Sequence, residues 1–170
     1  NNITKTLTLM YGVDVFSKRF PQSFHISHDR GEGLILHGTR EWKDYTVEVD
    51  LMVHLGSSAG VVARAQGLRR YYGARVTRDG MFQLVKHYDD IYDIMASEKI
   101  TFAFDKIINI TFTVIGSSLS ANIGNTTLMA SDNSNFIMSS GAIGLMVTDG
   151  AASANTVRVT APKEDVKCQK

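Results

Sequence analysis

From Tyr45 to Leu55 apolar and polar residues alternate. Tyr45, Val47, Val49, Leu51, Val53 and Leu55 take the odd positions, and Thr46, Glu48, Asp50 and His54 lie between them. Successive side chains of an extended chain point to opposite faces, so this run predicts a strand with one buried and one wet face. The same period returns down the chain. Ile100, Phe102 and Phe104 alternate with Thr101 and Ala103, and Ile108, Ile110, Phe112 and Val114 alternate with Asn109, Thr111 and Thr113. Leu119, Ala121 and Ile123 alternate with Ser118, Ser120 and Asn122. Ile143, Leu145 and Val147 form another row, and Val157 and Val159 the last. Turns bearing Gly56, Gly67, Gly80, Gly116, Gly124 and Gly150 punctuate the rows. The pattern predicts about a dozen short strands at the spacing of an antiparallel sandwich or barrel. No long segment has a helical period. Residues 88–98 alone read either way, because Ile91, Ile94 and Met95 fit one side of a short helical turn.

Parity assigns these residues to faces. With Val47, Val49 and Leu51 turned to the core, Glu48, Asp50 and His54 share the opposite face. Val61 and Ala63 turned inward place Arg64 outward. Tyr72, Ala74 and Val76 inward place Tyr71, Arg75 and Thr77 outward. Phe82 and Leu84 inward place Gln83 and His87 outward. The last two strands agree only if their loop holds three residues, Arg78, Asp79 and Gly80, with Gly80 left-handed. A two-residue loop would set inward positions against outward ones. Arg64 is expected opposite Glu48 or Asp50. One polar face then gathers Glu48, Asp50, His54, Arg64, Arg75, Gln83 and His87, with Tyr71 beside them. Such a set suits a sugar. Carboxylates accept from hydroxyl pairs, Arg donates in a fork, Gln and His do either, and an aromatic covers the apolar side of the ring. A salt-bridged, solvated sheet face would show similar residues, so both readings stand. Glu48 and Asp50, about 6.5–7 Å apart at their Cα atoms, also raise glycosidase or lyase chemistry, which uses paired carboxylates.

Composition narrows the field. A chain of 170 residues suits one domain, and a single sandwich is expected over residues 1–162, with a polar tail over 163–170. A net charge of +1 without a basic block argues against a nucleic-acid surface. No apolar run approaches the roughly 18–20 residues of a membrane span. A signal peptide is expected to be absent or already removed. The single cysteine, Cys168, cannot form an internal disulfide. His25 and His28 read as a surface pair rather than a metal site. Sequons begin at Asn2, Asn109 and Asn125, which agrees with a secreted or extracellular protein.

The order of features along the chain adds a resemblance. Trp42 precedes the long strand, Gly60 is followed by Arg64, Tyr71 and Tyr72 lead an aromatic strand, and Ser140 and Gly141 precede a strand near the end. In this order they resemble the concanavalin A-like lectin/glucanase superfamily, and most of all the laminin-G-like domains appended to glycoside hydrolases. The resemblance spans residues 14–160. It implies an all-β, two-sheet antiparallel jelly-roll sandwich. It further implies a non-catalytic, carbohydrate-binding, lectin-like module of a secreted glycan-active protein, with glycan as partner and a catalytic domain elsewhere in the parent chain. The alternative it leaves open is a laminin-G-like protein-interaction module using its rim loops. Domains of this superfamily often hold a structural calcium, and Asp14, Asp132 and Asn155 sit near positions that supply its oxygen ligands; ordinary turn capping would use the same residues. Glucanases of the superfamily carry Glu-x-Asp-x-Glu on such a strand. Glu48 and Asp50 match, but Met52 stands at the third position, so that activity is not carried over. In the superfamily's pattern Trp42 packs against the sandwich.

Overall fold

The computed structural model describes residues 24–162. Ten strands follow one another: β1 (Phe24–His37), β2 (Tyr45–Leu55), β3 (Ser58–Gly67), β4 (Arg70–Thr77), β5 (Met81–Tyr88), β6 (Ile91–Lys99), β7 (Ile107–Ile115), β8 (Ser118–Ile123), β9 (Thr126–Ser131) and β10 (Ala142–Thr160). All pairings are antiparallel, in the order β6-β5-β4-β3-β10-β2-β7-β8-β9, with β1 also on β10. Among the described residues no helix is long and apolar enough to cross a membrane.

β10 belongs to two layers. Residues 142–148 pair with β3, residues 151–160 pair with β2, and β1 follows residues 143–154 along the other edge. The first sheet is therefore β6-β5-β4-β3 with the early part of β10 and the late part of β1. The second is β9-β8-β7-β2 with the late part of β10 and the early part of β1. The two sheets pack face to face, β5 and β6 lying over β8 and β9.

A corner holds the layers together. Asp149, with φ of 49°, bends β10, and the β1 register breaks beside it between His28 and Glu32. The Asp149 carboxylate accepts from the Gly31 N–H at 2.6 Å and from the Ser57 hydroxyl at 3.2 Å. One side chain thus ties the bend of β10 to the bulge of β1 and to the link between β2 and β3. Gly56 opens that link with φ of +128°, and a Cβ there would lie 2.8 Å from the Thr148 carbonyl oxygen. Only glycine satisfies both demands.

The core is what the alternation predicts. Val47, Val49 and Leu51 of β2 meet Ile110 and Phe112 of β7 on one side, and Val61, Tyr72, Ala74, Phe82 and Leu84 close it from the other; all are buried. Each Val, Leu, Ile or Phe among them contributes about 1.5–3 kcal/mol when fully buried. Trp42 packs on this cluster and meets Tyr45 edge to face at 6.2 Å. The β4–β5 loop is the three-residue one the parity requires, with Gly80 at φ +84°.

Of the residues 88–98 that read either way, Tyr88 ends β5 and Ile91 onward form the edge strand β6. One local expectation is corrected. Residues 100–104, despite their alternation, form a loop. Ile100 and Phe102 still pack on the core, but the backbone joins no ladder. Anchoring two apolar side chains gives a loop the same period as a strand.

Candidate functional site

The eight residues expected on one face occupy three places. Glu48, Asp50 and His54 project from β2, on the outer face of the second sheet. Tyr71, Arg75, Gln83 and His87 project from β4 and β5, on the outer face of the first. Arg64 lies inside. The connection at Gly56 reads as a hairpin but is an arch between layers: β2 pairs with β7 and β10, β3 with β4 and β10. Parity was right within β2, β4 and β5, and the assumption that β2 and β3 share a sheet was not.

Arg64 is 1% exposed. Ala63 and Arg64 together oppose the single residue Ile143, between the Ala142–Ala65 and Gly144–Val62 pairs. This bulge, with φ of 49° at Arg64, reverses the parity and turns the side chain inward. Its guanidinium donates to the carbonyls of Lys43 (2.9 Å), Gly116 (2.6 Å) and Met138 (3.1 Å) and to the Asp44 carboxylate (3.0 Å). Its backbone N–H donates to the Tyr45 hydroxyl at 2.6 Å, which donates to the Gly141 carbonyl at 3.0 Å. Burial, the largest influence, pushes the Tyr45 pKa well up, so it stays a neutral donor. Arg64 is a structural hub gathering three loops, with no group left facing solvent.

On the second sheet, Glu48 and Asp50 share one amide. Asn109 Nδ2 donates to Asp50 at 2.9 Å and to Glu48 at 3.4 Å, and Arg158 lies 3.7 Å from Glu48. Next to them His54 Nδ1 donates to Asp105 at 2.7 Å, and Nε2 accepts from the Ser153 hydroxyl at 2.8 Å. This has the connectivity of an acyl-transfer triad. Ser153, however, is 3% exposed within the β10 ladder, paired with both β1 and β2. Its hydroxyl offers no path for an attacked carbonyl, and the three residues clamp the loop before β7 to β10. An open depression of about 360 Å³ lies further along this sheet, lined by Thr113, Ile115, Ser120 and Met129 among others, and by none of the expected site residues.

The outer face of the first sheet is different. It has an apolar floor of its own, where Val62, Ala65, Tyr71 and Met146 are buried with Leu34 and Leu36 packed against them. Glycine at position 73 makes room, since a Cβ there would meet Met146 Sδ at 3.1 Å and Val85 Cγ2 at 3.0 Å. Over this floor runs a polar layer built by register. Tyr71 faces His87, which faces Tyr92; Arg75 faces Gln83, which faces Ser97. The Tyr71 hydroxyl donates to the Glu32 carboxylate. His87 Nε2 donates to the Asp89 carbonyl at 3.0 Å, leaving Nδ1 3.4 Å from the Tyr71 hydroxyl. The imidazole meets Tyr71 and Tyr92 edge-on, at 5.3 and 5.1 Å. Arg75 donates through Nε and Nη2 to Gln83 Oε1 (3.0 and 2.9 Å) and through Nη1 to the Tyr92 hydroxyl (2.7 Å). Burial chiefly, and the Glu32 carboxylate beside it, push the Tyr71 pKa far up. Burial also raises that of Tyr92 against the pull of Arg75. Both hydroxyls are therefore neutral partners. Tyr92 is 39% exposed whereas Tyr71 is fully buried, so Tyr92 is the ring of this pair that a ligand can reach.

Glu32 and Tyr92 were not among the expected residues. Glu32 follows a bulge that hides the alternation of β1. Tyr92 lies in the stretch that read either way. Taking Asp89 and Asp90 as a two-residue hairpin loop would have set Tyr92 opposite His87.

Asp132, which reads either as a calcium ligand or as a turn cap, is engaged within the protein. Its carboxylate lies 2.6 Å from Lys86 Nζ, accepts from the Tyr72 hydroxyl, and accepts from the Ser134 N–H at 3.0 Å. The cation it neutralises is a buried lysine. Asn155 lies on β10, and Asp14 lies outside the described residues. Among the described residues no three His, Cys, Asp or Glu side chains converge as a metal site. His28 lies exposed on β1, and Cys168 and Asn2 are outside the described residues.

No protein-family model and no curated protein matches the chain. Solved structures do. The carbohydrate-binding module CBM66 from Bacillus subtilis aligns with a TM-score of 0.70 at 19% identity, covering 79% of this chain and 84% of that one. A Bacillus subtilis protein of unknown function with a galectin-like fold aligns at 0.64 and 12% identity, over 85% and 86% of the two chains. The fold is galectin-like. The Caenorhabditis elegans galectin LEC-6 shares it, at a TM-score of 0.57 and 11% identity, over 80% and 95%. At these identities the likeness is one of architecture. The galectin-like sandwich has the two-sheet jelly-roll layout that the concanavalin A-like resemblance implies, and the functional reading rests on the site itself.

Proposed function

We propose that this domain is a non-catalytic, lectin-like carbohydrate-binding module whose ligand lies across the outer face of the first sheet. The observation that carries the reading is the polar layer over an apolar floor. Glu32, Arg75, Gln83, His87 and Tyr92 come from four strands and are held in place by hydrogen bonds to one another and to the Tyr71 hydroxyl. Sugar recognition needs fixed donors and acceptors around an accessible ring. Here the groups are oriented before any ligand arrives, which lowers the entropic cost of binding. One structure that shares the fold is itself a carbohydrate-binding module. A secreted parent protein that acts on glycans, with a laminin-G-like accessory domain, completes the reading. Asn125 supports it by presenting a sequon at the exposed β8–β9 turn.

A glycan array tests this with three proteins: the native domain, Tyr92→Ala, and a Glu48→Gln/Asp50→Asn double variant. A defined glycan class should bind the native domain. Tyr92→Ala should weaken it about tenfold through lost ring contact, and the double variant should bind as the native domain does. Loss confined to the double variant would move the site to the second sheet. An array with no bound glycan would sink the sugar reading.

A further inference from the structure

We infer that the sugar taken by this face is an anionic one, held at Arg75 through a carboxylate or sulfate group; the inference rests on the sugar-binding reading above. Arg75 stands apart from the other buried and half-buried arginines of the sheets. Arg64 meets Asp44, Arg70 meets Asp89, and Arg158 meets Glu48. No carboxylate pairs with Arg75 among the described residues. Its protein partners, Gln83 Oε1 and the Tyr92 hydroxyl, are neutral.

The donor count sharpens the point. A guanidinium has five N–H groups. Three of Arg75's are donated to Gln83 and Tyr92. One N–H on Nη1 and one on Nη2 remain to donate to the oxygens of a carboxylate or sulfate. The side chain is half-buried in mid-strand and braced by Gln83, which is 8% exposed and extends to Ser97. A braced, half-buried cation without an anion is an unusual arrangement, because desolvated charges are ordinarily paired. The outward positions of β4, β5 and β6 include Arg75 and Lys99 and no carboxylate.

Glu32 gives the site a direction. It lies across the sheet on β1, bonded to the Tyr71 hydroxyl, while Arg75 is bonded to the Tyr92 hydroxyl. The anionic group belongs at the Arg75 end, and sugar hydroxyls, which can donate, belong toward Glu32. A neutral sugar would leave the two remaining N–H groups of Arg75 to weaker acceptors. An anionic one converts them to charge-assisted hydrogen bonds, a gain of about ten- to a hundredfold in affinity.

The test is a panel of matched pairs: oligogalacturonate and oligoglucuronate with their methyl esters, and a sulfated galactan oligomer with its desulfated form. Binding is measured by calorimetry on the native domain, Arg75→Gln and Arg75→Lys, with folding checked by circular dichroism. At least one charged member should bind about tenfold or more tightly than its neutral mate. Arg75→Gln should erase that preference, and Arg75→Lys should keep part of it. Whichever pair shows the preference distinguishes carboxylate from sulfate. Should Arg75→Gln fail to fold, the native domain still decides: raising salt from about 0.05 to 0.5 M should weaken the charged ligand selectively. Equal binding within every pair overturns the anionic inference and leaves the sugar-binding reading intact. No binding to any member, charged or neutral, together with a blank array, overturns both.

Discussion

Replacing Arg64 removes a hub rather than a ligand contact, and the size of the effect follows from the structure. Arg64→Ala deletes a buried aliphatic stem, worth about 2 kcal/mol at roughly 0.8 kcal/mol per methylene. It also strips donors from the carbonyls of Lys43, Gly116 and Met138 and from Asp44. Asp44 is 43% exposed and can turn to water, so the polar loss is about 1–2 kcal/mol rather than the full cost of a stranded buried charge. The sum is about 3–4 kcal/mol. For a domain of this size, urea unfolding with a slope near 2 kcal/mol/M would place the midpoint about 2 M lower. Backbone strain supplies an internal control. Arg64 sits at φ 49°, a conformation that costs a non-glycine residue about 1 kcal/mol. Arg64→Gly should therefore be more stable than Arg64→Ala by about that amount, against the usual ranking of these residues in strands. A midpoint for Arg64→Ala within about 0.5 M of the native value would refute the hub. So would a glycine variant weaker than the alanine one.

Two further outcomes are expected. Burial raises the Asp132 pKa, but hydrogen bonds from Lys86, Tyr72 and Ser134 outweigh it and bring the group from 3.8 to about 2. Because the folded value is the lower one, this stabilisation is present above the unfolded pKa and is lost as pH falls through the folded one. Between about pH 5 and 2 the native domain should lose about 2 kcal/mol more than Asp132→Asn in urea titrations, and parallel curves would argue against the ion pair. A Cβ on Gly60 would lie 2.1 Å from the Ala74 carbonyl oxygen and 2.6 Å from Arg75 Cα, whereas one on Gly67 meets nothing within 4 Å. Gly60→Ala should cost more than about 3 kcal/mol and Gly67→Ala less than about 0.5 in thermal unfolding, and similar losses would show that β3 can shift.

What could be read in the chain was whatever each strand decides locally. Alternation fixed the inward residues of β2, β7 and β8, and the pairing arithmetic of Arg78, Asp79 and Gly80 fixed the β4–β5 register. Half of the expected site survives as a group for that reason: Tyr71, Arg75, Gln83 and His87 lie on two strands joined by that hairpin. The rest depends on the partner of each strand. Nothing near Gly56 announces that β2 and β3 part into different sheets, because the cause is β10, almost a hundred residues on, passing between them. Arg64 was misplaced by a single inserted residue, and one residue is enough to invert a strand's faces. Glu32 and Tyr92 were missed for a related reason: a bulge and an ambiguous period concealed the parity that would have put them in the site.

The bend at Asp149 has a consequence for how the molecule is made. β10 supplies a central pairing partner to both sheets and the whole of β1's ladder, yet it is the last of these ten strands to be synthesised. Until then β1 has no partner, and β2 and β3 each lack one neighbour. Nascent chains should therefore stay protease-sensitive until β10 emerges, then close in one step. The large sequence separation of these contacts makes that step slow. Folding here is gated by the emergence of β10, and a truncation before β10 should yield no stable half-domain.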